Sequence, residues 1–233
     1  MKKQDPSNRL ITALHPKSPA SEAFRSFRTN LHFANPKGEA KCIMITSAGP
    51  EEGKSTTLAN LAVTLAQSAK RVLVVDADLR RPMQHKIFSL ASQPGLTNLL
   101  VDSVSADQVI QRSQIENLDV LPSGPIPPNP SELLDSPEAR TLWSQLSAEY
   151  DQVLVDTPPT LALTDAAVLA SQVDGIVVVV QAGETRRDMA KECVDLLTNA
   201  GGRVLGAVLN GVRHSSDGYR YYYYYGANQE ERA

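Results

Sequence analysis

The chain has 233 residues, 42% of them hydrophobic, and a formal net charge of -3. This length and composition fit one α/β domain with a buried core, and the charge gives no indication of nucleic-acid binding. The cysteines Cys42 and Cys193 lack the spacing of a metal site, which favours a reduced, cytoplasmic compartment. The amino-terminal residues have no signal-peptide core, and the most apolar run, residues 176–180, is too short to span a bilayer. We therefore expect a soluble protein that reaches a membrane only through a partner.

The predicted elements begin after a polar, proline-containing arm at residues 1–17. A helix over residues 18–34 starts at Ser18, which can cap it, followed by Pro19, which suits a first turn. From there, short β-branched runs alternate with helical patterns, which predicts a mostly parallel, twisted sheet with helices on both faces. The strands are predicted at residues 41–46, 71–75, 118–121, 153–155, 175–180 and 203–209. The helices are predicted at residues 55–68, 164–171 and 186–199, with another opening at Asn129 in a capping box with Glu132.

The loop between the first strand and its helix has the composition of a phosphate-binding loop, below called the P-loop. Its residues are Ala48, Gly49, Pro50, Glu51, Glu52, Gly53, Lys54, Ser55 and Thr56. A glycine-containing turn that enters a helix N-terminus points several backbone N–H groups at one phosphate. Lys54 would reach the β- and γ-phosphates of a nucleotide, and the Ser55 hydroxyl would bind Mg²⁺. Alanine at position 48, where this pattern has glycine, is a mild departure.

Three aspartates follow predicted strands at their carboxyl ends, where α/β sheets place their active sites. Asp76 and Asp78 come after residues 72–75, and Asp156 comes after residues 153–155. Mg²⁺ prefers one or two carboxylates together with waters and phosphate oxygens. We expect Asp76 and Asp156, with the serine of the P-loop, to form the metal site. For each aspartate considered alone, a turn-capping role is the alternative. This alternative is less favoured because the P-loop and the two aspartate motifs occur in order, each at the end of a predicted strand.

These motifs together resemble those of the bacterial tyrosine kinases (BY-kinases), of the separate cytoplasmic type found with capsule and exopolysaccharide systems. The resemblance covers essentially the whole chain. It rests on Gly53-Lys54-Ser55, Asp76-x-Asp78-x-Arg80, Asp156-Thr157-Pro158-Pro159, a proline-rich loop at residues 123–130, Glu22-x-x-Arg25-x-x-Arg28, and a terminal tyrosine cluster. The motifs of eukaryotic kinases are absent. The wider relatives are MinD/ParA-like ATPases, whose second P-loop lysine has no counterpart between Thr46 and Gly53 of this chain.

The tyrosine cluster is the most unusual feature of the composition. Six of the seven tyrosines lie in the last 15 residues, at Tyr219, Tyr221, Tyr222, Tyr223, Tyr224 and Tyr225. Consecutive tyrosines in an extended segment point to opposite sides and cannot all be buried. We therefore expect a kinase domain at residues 18–213 and a flexible tail at residues 214–233. The resemblance implies that these tyrosines are autophosphorylated, and a mobile tail predicts that this occurs in trans, within an oligomer.

The resemblance also implies partners. Glu22, Arg25 and Arg28 would form a subunit contact, suggesting a ring, although a solvated helix face with an ordinary ion pair is the alternative. A transmembrane modulator of the polysaccharide copolymerase type would activate the enzyme at the inner face of the membrane. A cognate tyrosine phosphatase and other protein substrates are implied as well, and no nucleic acid.

Phosphoryl transfer depends on positioning and charge neutralisation, and the expected roles follow from that. Lys54 would neutralise phosphate charge. A tyrosine hydroxyl has a pKa of about 10, so a carboxylate would accept its proton during transfer. Asp76 is our predicted base and Asp78 the competing candidate. Arg80 would pair with a carboxylate, contact phosphate or lie on the surface. By resemblance to the related ATPases, Asn210 would contact the adenine, with a structural turn as the alternative.

Two other functions remain open from the sequence: a MinD/ParA-like ATPase switch that labels no tyrosine, and a non-enzymatic regulator. All the expected roles depend on one condition. Lys54, Asp76 and Asp156 must converge on one Mg-bound triphosphate at the carboxyl edge of a single sheet.

Overall fold

One seven-stranded sheet forms the centre of the computed structural model, which describes residues 6–35, 40–102 and 104–212. Its strands are β1 Cys42–Ser47, β2 Val72–Asp76, β3 Gln111–Arg112, β4 Leu118–Leu121, β5 Gln152–Asp156, β6 Gly175–Gln181 and β7 Val204–Asn210. They are arranged in the order β3-β4-β2-β5-β1-β6-β7. Every neighbouring pair is parallel except β3 and β4, which are antiparallel. The predicted α/β fold is therefore confirmed.

Helices cover both faces of the sheet. In chain order they are α1 Ile11–Leu14, α2 Pro19–Ala34, α3 Lys54–Ala66, α4 Gln84–Ile87, α5 Leu96–Val101, α6 Ala106–Val109, α7 Pro130–Leu134, α8 Pro137–Glu149, α9 Asp165–Ala170 and α10 Arg187–Asn199. Alternate residues of β1 point to opposite faces, so that Met44 joins one apolar core and Ile43 and Ile45 the other. The described helices include none that is both long and apolar enough to cross a bilayer.

The predicted arm at residues 1–17 packs against the domain over the part that is described. Thr12 is buried, and both its N–H and its hydroxyl donate to the Asn60 side-chain oxygen, at 3.0 and 2.9 Å. The Asn60 amide in turn donates to the Arg9 carbonyl at 2.8 Å. Because Asn60 lies on α3, the helix that begins in the P-loop, this segment forms an outer layer of the domain.

The predicted capping box at Asn129 is wrong, although a helix does begin there. The Asn129 side chain donates to the Glu132 carboxylate at 2.9 Å and makes no capping bond to the backbone, because a charged acceptor is within its reach. The helix ends at Leu134. Pro137 disfavours a helical conformation at the preceding residue, so Ser136 instead caps α8 by accepting the Ala139 N–H at 3.2 Å. By contrast, Ser18 caps α2 as predicted, since its hydroxyl accepts the Ser21 N–H.

Candidate active site

The aspartates at the ends of β2 and β5 lie side by side. Asp76 and Asp156 are directly opposite residues in the parallel pairing of these two strands. The P-loop leaves the end of β1, which pairs with the other side of β5. Because parallel strands all end at one edge of the sheet, the three predicted motifs meet there.

The P-loop enters α3 through a backbone conformation that favours glycine. Gly53 caps the helix with φ of 86°, in the left-handed region, and a Cβ there would lie 2.2 Å from the Asn210 Nδ2 atom. The Glu52 side chain is buried and folds back, so that its Oε1 accepts the Gly49 N–H at 3.0 Å.

This arrangement narrows the predicted set of phosphate donors. Glu52 already engages the amide of Gly49, and Pro50 has no N–H to offer. The backbone donors left for a phosphate therefore begin at Glu51 and continue into the first turn of α3, where Thr56 lies. Pro50, one of the predicted nucleotide-binding residues, would contribute through the shape of the loop and not through a backbone N–H.

Lys54 is the cation of the site. Its Nζ lies 3.0 Å from Asp78 Oδ2, 4.0 Å from Asp156 Oδ1 and 3.3 Å from the Ser55 hydroxyl. Burial by itself lowers the pKa of Lys54, but the nearby carboxylates of Asp156 and Asp78 outweigh it and raise the pKa above its usual value. The ammonium group therefore stays charged, as phosphate binding requires.

Asp76 and Asp156 are fully buried, and each has one oxygen that accepts hydrogen bonds and one that accepts none. Oδ2 of Asp76 accepts the N–H groups of Met83 and Gln84, at 2.9 and 2.8 Å. Oδ2 of Asp156 accepts the Gln84 side-chain amide at 2.8 Å. Oδ1 of each aspartate is buried without a hydrogen-bond partner.

Burial raises the pKa of Asp76 well above its usual range, and the neighbouring Asp156 charge raises it further. Burial also raises the pKa of Asp156, although the Lys54 charge and the hydrogen bond from Gln84 offset part of this. Two carboxylate oxygens that accept no hydrogen bond, together with a serine hydroxyl, are the hard oxygen donors that Mg²⁺ takes, so these residues fit a magnesium ion. A bound cation would also relieve the unfavourable burial of two like charges.

Asp78 and Arg80 are held by other contacts. Oδ1 of Asp78 accepts the N–H groups of Arg81 and Arg80, at 2.9 and 3.3 Å, while its Oδ2 faces Lys54. The Arg80 Nε donates to both oxygens of the buried Asp165, at 3.2 Å. Of the three alternatives for Arg80, the structure therefore shows the pairing with a carboxylate, which ties the loop after β2 to α9.

Asn210 lies beside the P-loop, at the end of β7. Its Nδ2 donates to the Glu52 carbonyl at 3.0 Å and to Gln181 Oε1 at 3.2 Å. This position at the nucleotide edge accommodates either an adenine contact or a structural role.

Sequence reasoning missed Gln84. This buried residue lies in the short helix α4, which the sequence does not predict, and it contacts both buried aspartates. No motif marks it, because its side-chain bond to Asp156 joins residues 72 positions apart.

The predicted subunit-contact residues have partners within the chain. Arg25 pairs with Glu22 at 2.6 Å, and both side chains are partly exposed. Arg28 donates to the Thr64 carbonyl on α3 at 2.6 Å. The predicted phosphorylation sites from Tyr219 onward lie outside the described residues.

Comparison with known proteins agrees with this geometry. A family model for an AAA domain matches residues 40–200. The tyrosine-protein kinase YwqD of Bacillus subtilis is 46% identical over 213 residues, which cover 90% of each chain. The putative tyrosine-protein kinase CapB of Staphylococcus aureus is 43% identical over 228 residues, 97% of this chain and 98% of that one. This chain belongs to the bacterial tyrosine-protein kinases.

Solved structures place the kinase in the same family. The chimerical protein CapA2B2 superposes with a TM-score of 0.85 at 42% identity, covering 89% of this chain and 91% of the other. The kinase domain of Escherichia coli ETK also superposes with a TM-score of 0.85, at 39% identity, covering 89% of this chain and 82% of the other. A more distant neighbour is the septum site-determining protein MinD of Pyrococcus horikoshii, solved with Mg-ADP. It superposes with a TM-score of 0.65 at 25% identity, covering 76% of this chain and 72% of the other.

Proposed function

We propose that this kinase transfers the γ-phosphate of Mg-ATP to the tyrosines of its own C-terminal cluster, in trans within an oligomer. The phosphorylation would regulate the synthesis or export of a capsular or extracellular polysaccharide. One observation carries the proposal: Lys54, Ser55, Asp76 and Asp156 converge at one edge of the sheet, with Lys54 Nζ 4.0 Å from Asp156 and the two aspartates directly opposite each other. This set of charges fits a nucleoside triphosphate together with its metal ion.

The residue roles follow from the contacts. Ser55, Asp76 and Asp156 would hold Mg²⁺, which when bound neutralises charge on the phosphates. Lys54 exchanges its contact with Asp78 for the β- and γ-phosphates and stabilises the charge that develops on the transferred group. Backbone amides from Glu51 onward bind the phosphates.

The proton of the tyrosine hydroxyl needs a carboxylate acceptor. We assign this role to Asp76, with Asp78 as the alternative. Both oxygens of Asp78 already have partners, whereas Asp76 has one oxygen without a partner. Because that oxygen cannot bind Mg²⁺ directly and take the proton in the same step, Asp76 would contact the metal through water when it acts as the base. Kinetics of the Asp76→Asn and Asp78→Asn variants distinguish the two candidates. The residue that acts as the base is the one whose loss lowers the rate of phosphoryl transfer more than it weakens Mg-ATP binding.

The position of β7 supports access of the tail to the site. This strand ends at Asn210, whose side chain contacts the P-loop carbonyl of Glu52 at 3.0 Å, so the chain leaves the sheet at the nucleotide edge. Tyr219 is seven residues beyond Val212. A fully extended segment of that length spans roughly 24 Å, at about 3.4 Å per residue. This reach allows both the chain's own site and that of a neighbour, and experiment must distinguish them.

Phosphotyrosine mapping by mass spectrometry tests the activity. We expect Mg-ATP to label Tyr219 to Tyr225 in the wild-type protein, and Lys54→Met to abolish the labelling. A peptide from the cytoplasmic segment of the transmembrane modulator should be present, because the resemblance implies that this partner activates the enzyme. ATP hydrolysis without tyrosine labelling under these conditions would favour the MinD/ParA-like switch.

A mixing experiment tests transfer in trans. The Lys54→Met variant, with an intact tail, is incubated with an active variant whose six cluster tyrosines are changed to Phe. Labelling of the Lys54→Met chain supports transfer between subunits. The absence of label there, combined with labelling of the wild type alone, would indicate transfer within one chain.

The helix α2 is our proposed subunit contact, through Glu22, Arg25 and Arg28. The Glu22–Arg25 pair is partly exposed, so it can be rearranged by a neighbouring subunit at small cost. Sedimentation of a Glu22→Ala, Arg25→Ala double variant should show a smaller assembly than the wild type. An unchanged assembly would leave these residues with only their contacts inside the chain. The phosphatase, other protein substrates and recruitment from the cytoplasm to the inner membrane face belong to the same proposal, on the strength of the resemblance.

A further inference from the structure

Gln84 contacts the two buried aspartates from one position. It opens α4 and is fully buried. Its backbone N–H donates to Asp76 Oδ2 at 2.8 Å, and its side-chain Nε2 donates to Asp156 Oδ2, also at 2.8 Å. A single residue therefore binds one oxygen of each carboxylate across the β2–β5 pair.

The same side chain reaches the P-loop. Nε2 of Gln84 also donates to the Ser55 carbonyl at 3.2 Å. The two groups that surround Nε2 are a carboxylate and a backbone carbonyl, both acceptors, so the opposite orientation of the amide would place an oxygen against oxygens. The orientation of Gln84 is thus determined by its neighbours, and the residue joins α3, β2 and β5.

These bonds determine which carboxylate oxygens remain available. An aspartate can rotate about its last side-chain bond and exchange its two oxygens. The Gln84 amide occupies Oδ2 of Asp156, and the backbone N–H groups of Met83 and Gln84 occupy Oδ2 of Asp76, so Oδ1 of each aspartate is the oxygen that stays buried without a hydrogen-bond partner. Hydrogen bonds to the ionised form also oppose the effect of burial, so Gln84 lowers the pKa of both Asp76 and Asp156 against the larger rise that burial causes.

We propose that Gln84 is a positioning residue of the kinase: its side-chain amide orients Asp156 so that one carboxylate oxygen faces the metal, and it fixes Asp156 to the serine of the P-loop. Its backbone N–H, together with that of Met83, holds Asp76 beside them. The inference rests on the proposed function, in which these aspartates bind Mg²⁺. It predicts that loss of the Gln84 side-chain amide weakens metal binding without removing any metal ligand.

The test measures the affinity of the full chain for Mn²⁺, a spectroscopic probe that replaces Mg²⁺. Mn²⁺ is titrated into the protein in the presence of ADP, and binding is followed by electron paramagnetic resonance. We expect Gln84→Met, which keeps the length of the side chain but lacks a donor, to bind Mn²⁺ about 10-fold more weakly, as is typical when a residue behind the metal ligands is lost. In kinase assays the Mg²⁺ concentration for half-maximal rate should rise by a similar factor, while the KM for ATP at saturating Mg²⁺ changes little.

Gln152→Met is the matched control. Gln152 is also a buried glutamine that donates to a backbone carbonyl, that of Lys41 at 2.6 Å, but it lies at the opposite end of β5. A purely structural role for Gln84 would make the two variants alike in thermal unfolding and leave Mn²⁺ affinity unchanged in both. That result would overturn the proposal. If Gln84→Met does not fold, Gln84→Asn, which keeps an amide with shorter reach, gives the same comparison.

Asp156→Asn separates the two levels of inference. If this variant binds Mn²⁺ as tightly as the wild type, the metal assignment in the proposed function fails. If Asp156→Asn loses Mn²⁺ binding but the Gln84 variants retain it, the metal site stands and only the positioning role of Gln84 is wrong.

Discussion

The two edges of the sheet both carry aspartates at strand ends, but these aspartates are in opposite situations. At the amino edge, exposed Asp174 accepts the N–H groups of Lys41 and Cys42 at the start of β1, both at 2.8 Å. At the carboxyl edge, Asp76 and Asp156 are fully buried, and each has an oxygen without a hydrogen-bond partner.

This difference separates a structural carboxylate from the two carboxylates that we propose to be functional. An aspartate next to a strand is common in turns and caps, and at the amino edge it satisfies backbone donors and stays hydrated. Burying a charge with an unpartnered oxygen costs free energy, so such a group persists where function requires it. The amino edge therefore stabilises the fold, and the carboxyl edge gives up stability for a charged site.

The largest expected effect is the loss of activity on changing the carboxyl edge. Asp156→Asn should lower the rate of tyrosine phosphorylation by a factor on the order of 10² to 10³, since it removes a charge that faces both Lys54 and the metal position. Asp174→Asn at the amino edge should leave the rate within about 2-fold, since surface changes away from a site have small effects. Initial rates with saturating Mg-ATP measure both. Similar losses in the two variants would contradict the functional division between the edges.

The next effect concerns stability at the amino edge. Asp174→Ala should reduce the free energy of unfolding by about 1–2 kcal/mol, because it leaves two N–H groups at the start of β1 with water as their only replacement acceptor. The kinase rate of the folded variant should be unchanged. Urea denaturation followed by circular dichroism gives the unfolding free energy, and a loss of activity without a loss of stability would reverse our assignment for Asp174.

Removing a buried charge at the carboxyl edge should have the opposite effect. Without Mg²⁺ and nucleotide at pH 7, Asp76→Asn should raise the free energy of unfolding by about 1 kcal/mol, in the manner of other stabilising changes at active sites, while activity is lost. Destabilisation by this variant would mean that the Asp76 charge contributes to the fold.

The raised pKa of Asp76 predicts that the stability of the wild type depends on pH. The pKa of Asp76 is raised in the folded state, so the folded protein binds more protons than the unfolded chain above the ordinary aspartate pKa. The stability of the wild type then falls as pH rises from about 4 toward the folded pKa, by at most about 1.4 kcal/mol per pH unit for one proton. The difference in Tm between Asp76→Asn and the wild type should therefore grow from pH 4 to pH 7. A constant difference would contradict the raised pKa.

The smallest expected effect is at Tyr150, the tyrosine of the domain body. Its hydroxyl donates to Asp119 at 3.0 Å, and burial, with the Asp119 charge, raises its pKa, so it remains a protonated donor at neutral pH. Tyr150→Phe should cost about 1 kcal/mol of unfolding free energy, the typical worth of one hydrogen bond, and leave kinase activity intact. Phosphate found on Tyr150 by mass spectrometry would contradict a purely structural role for this residue.

Local patterns predicted much of the fold. The strand from Leu118 to Leu121 has the predicted bounds, and the helix after the P-loop begins one residue earlier than expected, at Lys54. These succeed because β-branched runs and helix-entry turns depend on neighbours in sequence. The short helices α4, α5 and α6 escaped prediction because each has too few residues to show a periodic pattern.

The sequence by itself determined the chemistry of the site: a P-loop with Lys54 and Ser55, and aspartates at the ends of apolar strands. Only the tertiary structure decided how these groups are oriented, which of their oxygens are free, and that Glu52 occupies the Gly49 amide. The bond from Gln84 to Asp156 joins residues 72 positions apart. It exists because β2 lies beside β5 in the sheet, and this choice of neighbour depends on the packing of the whole chain, which no local pattern records.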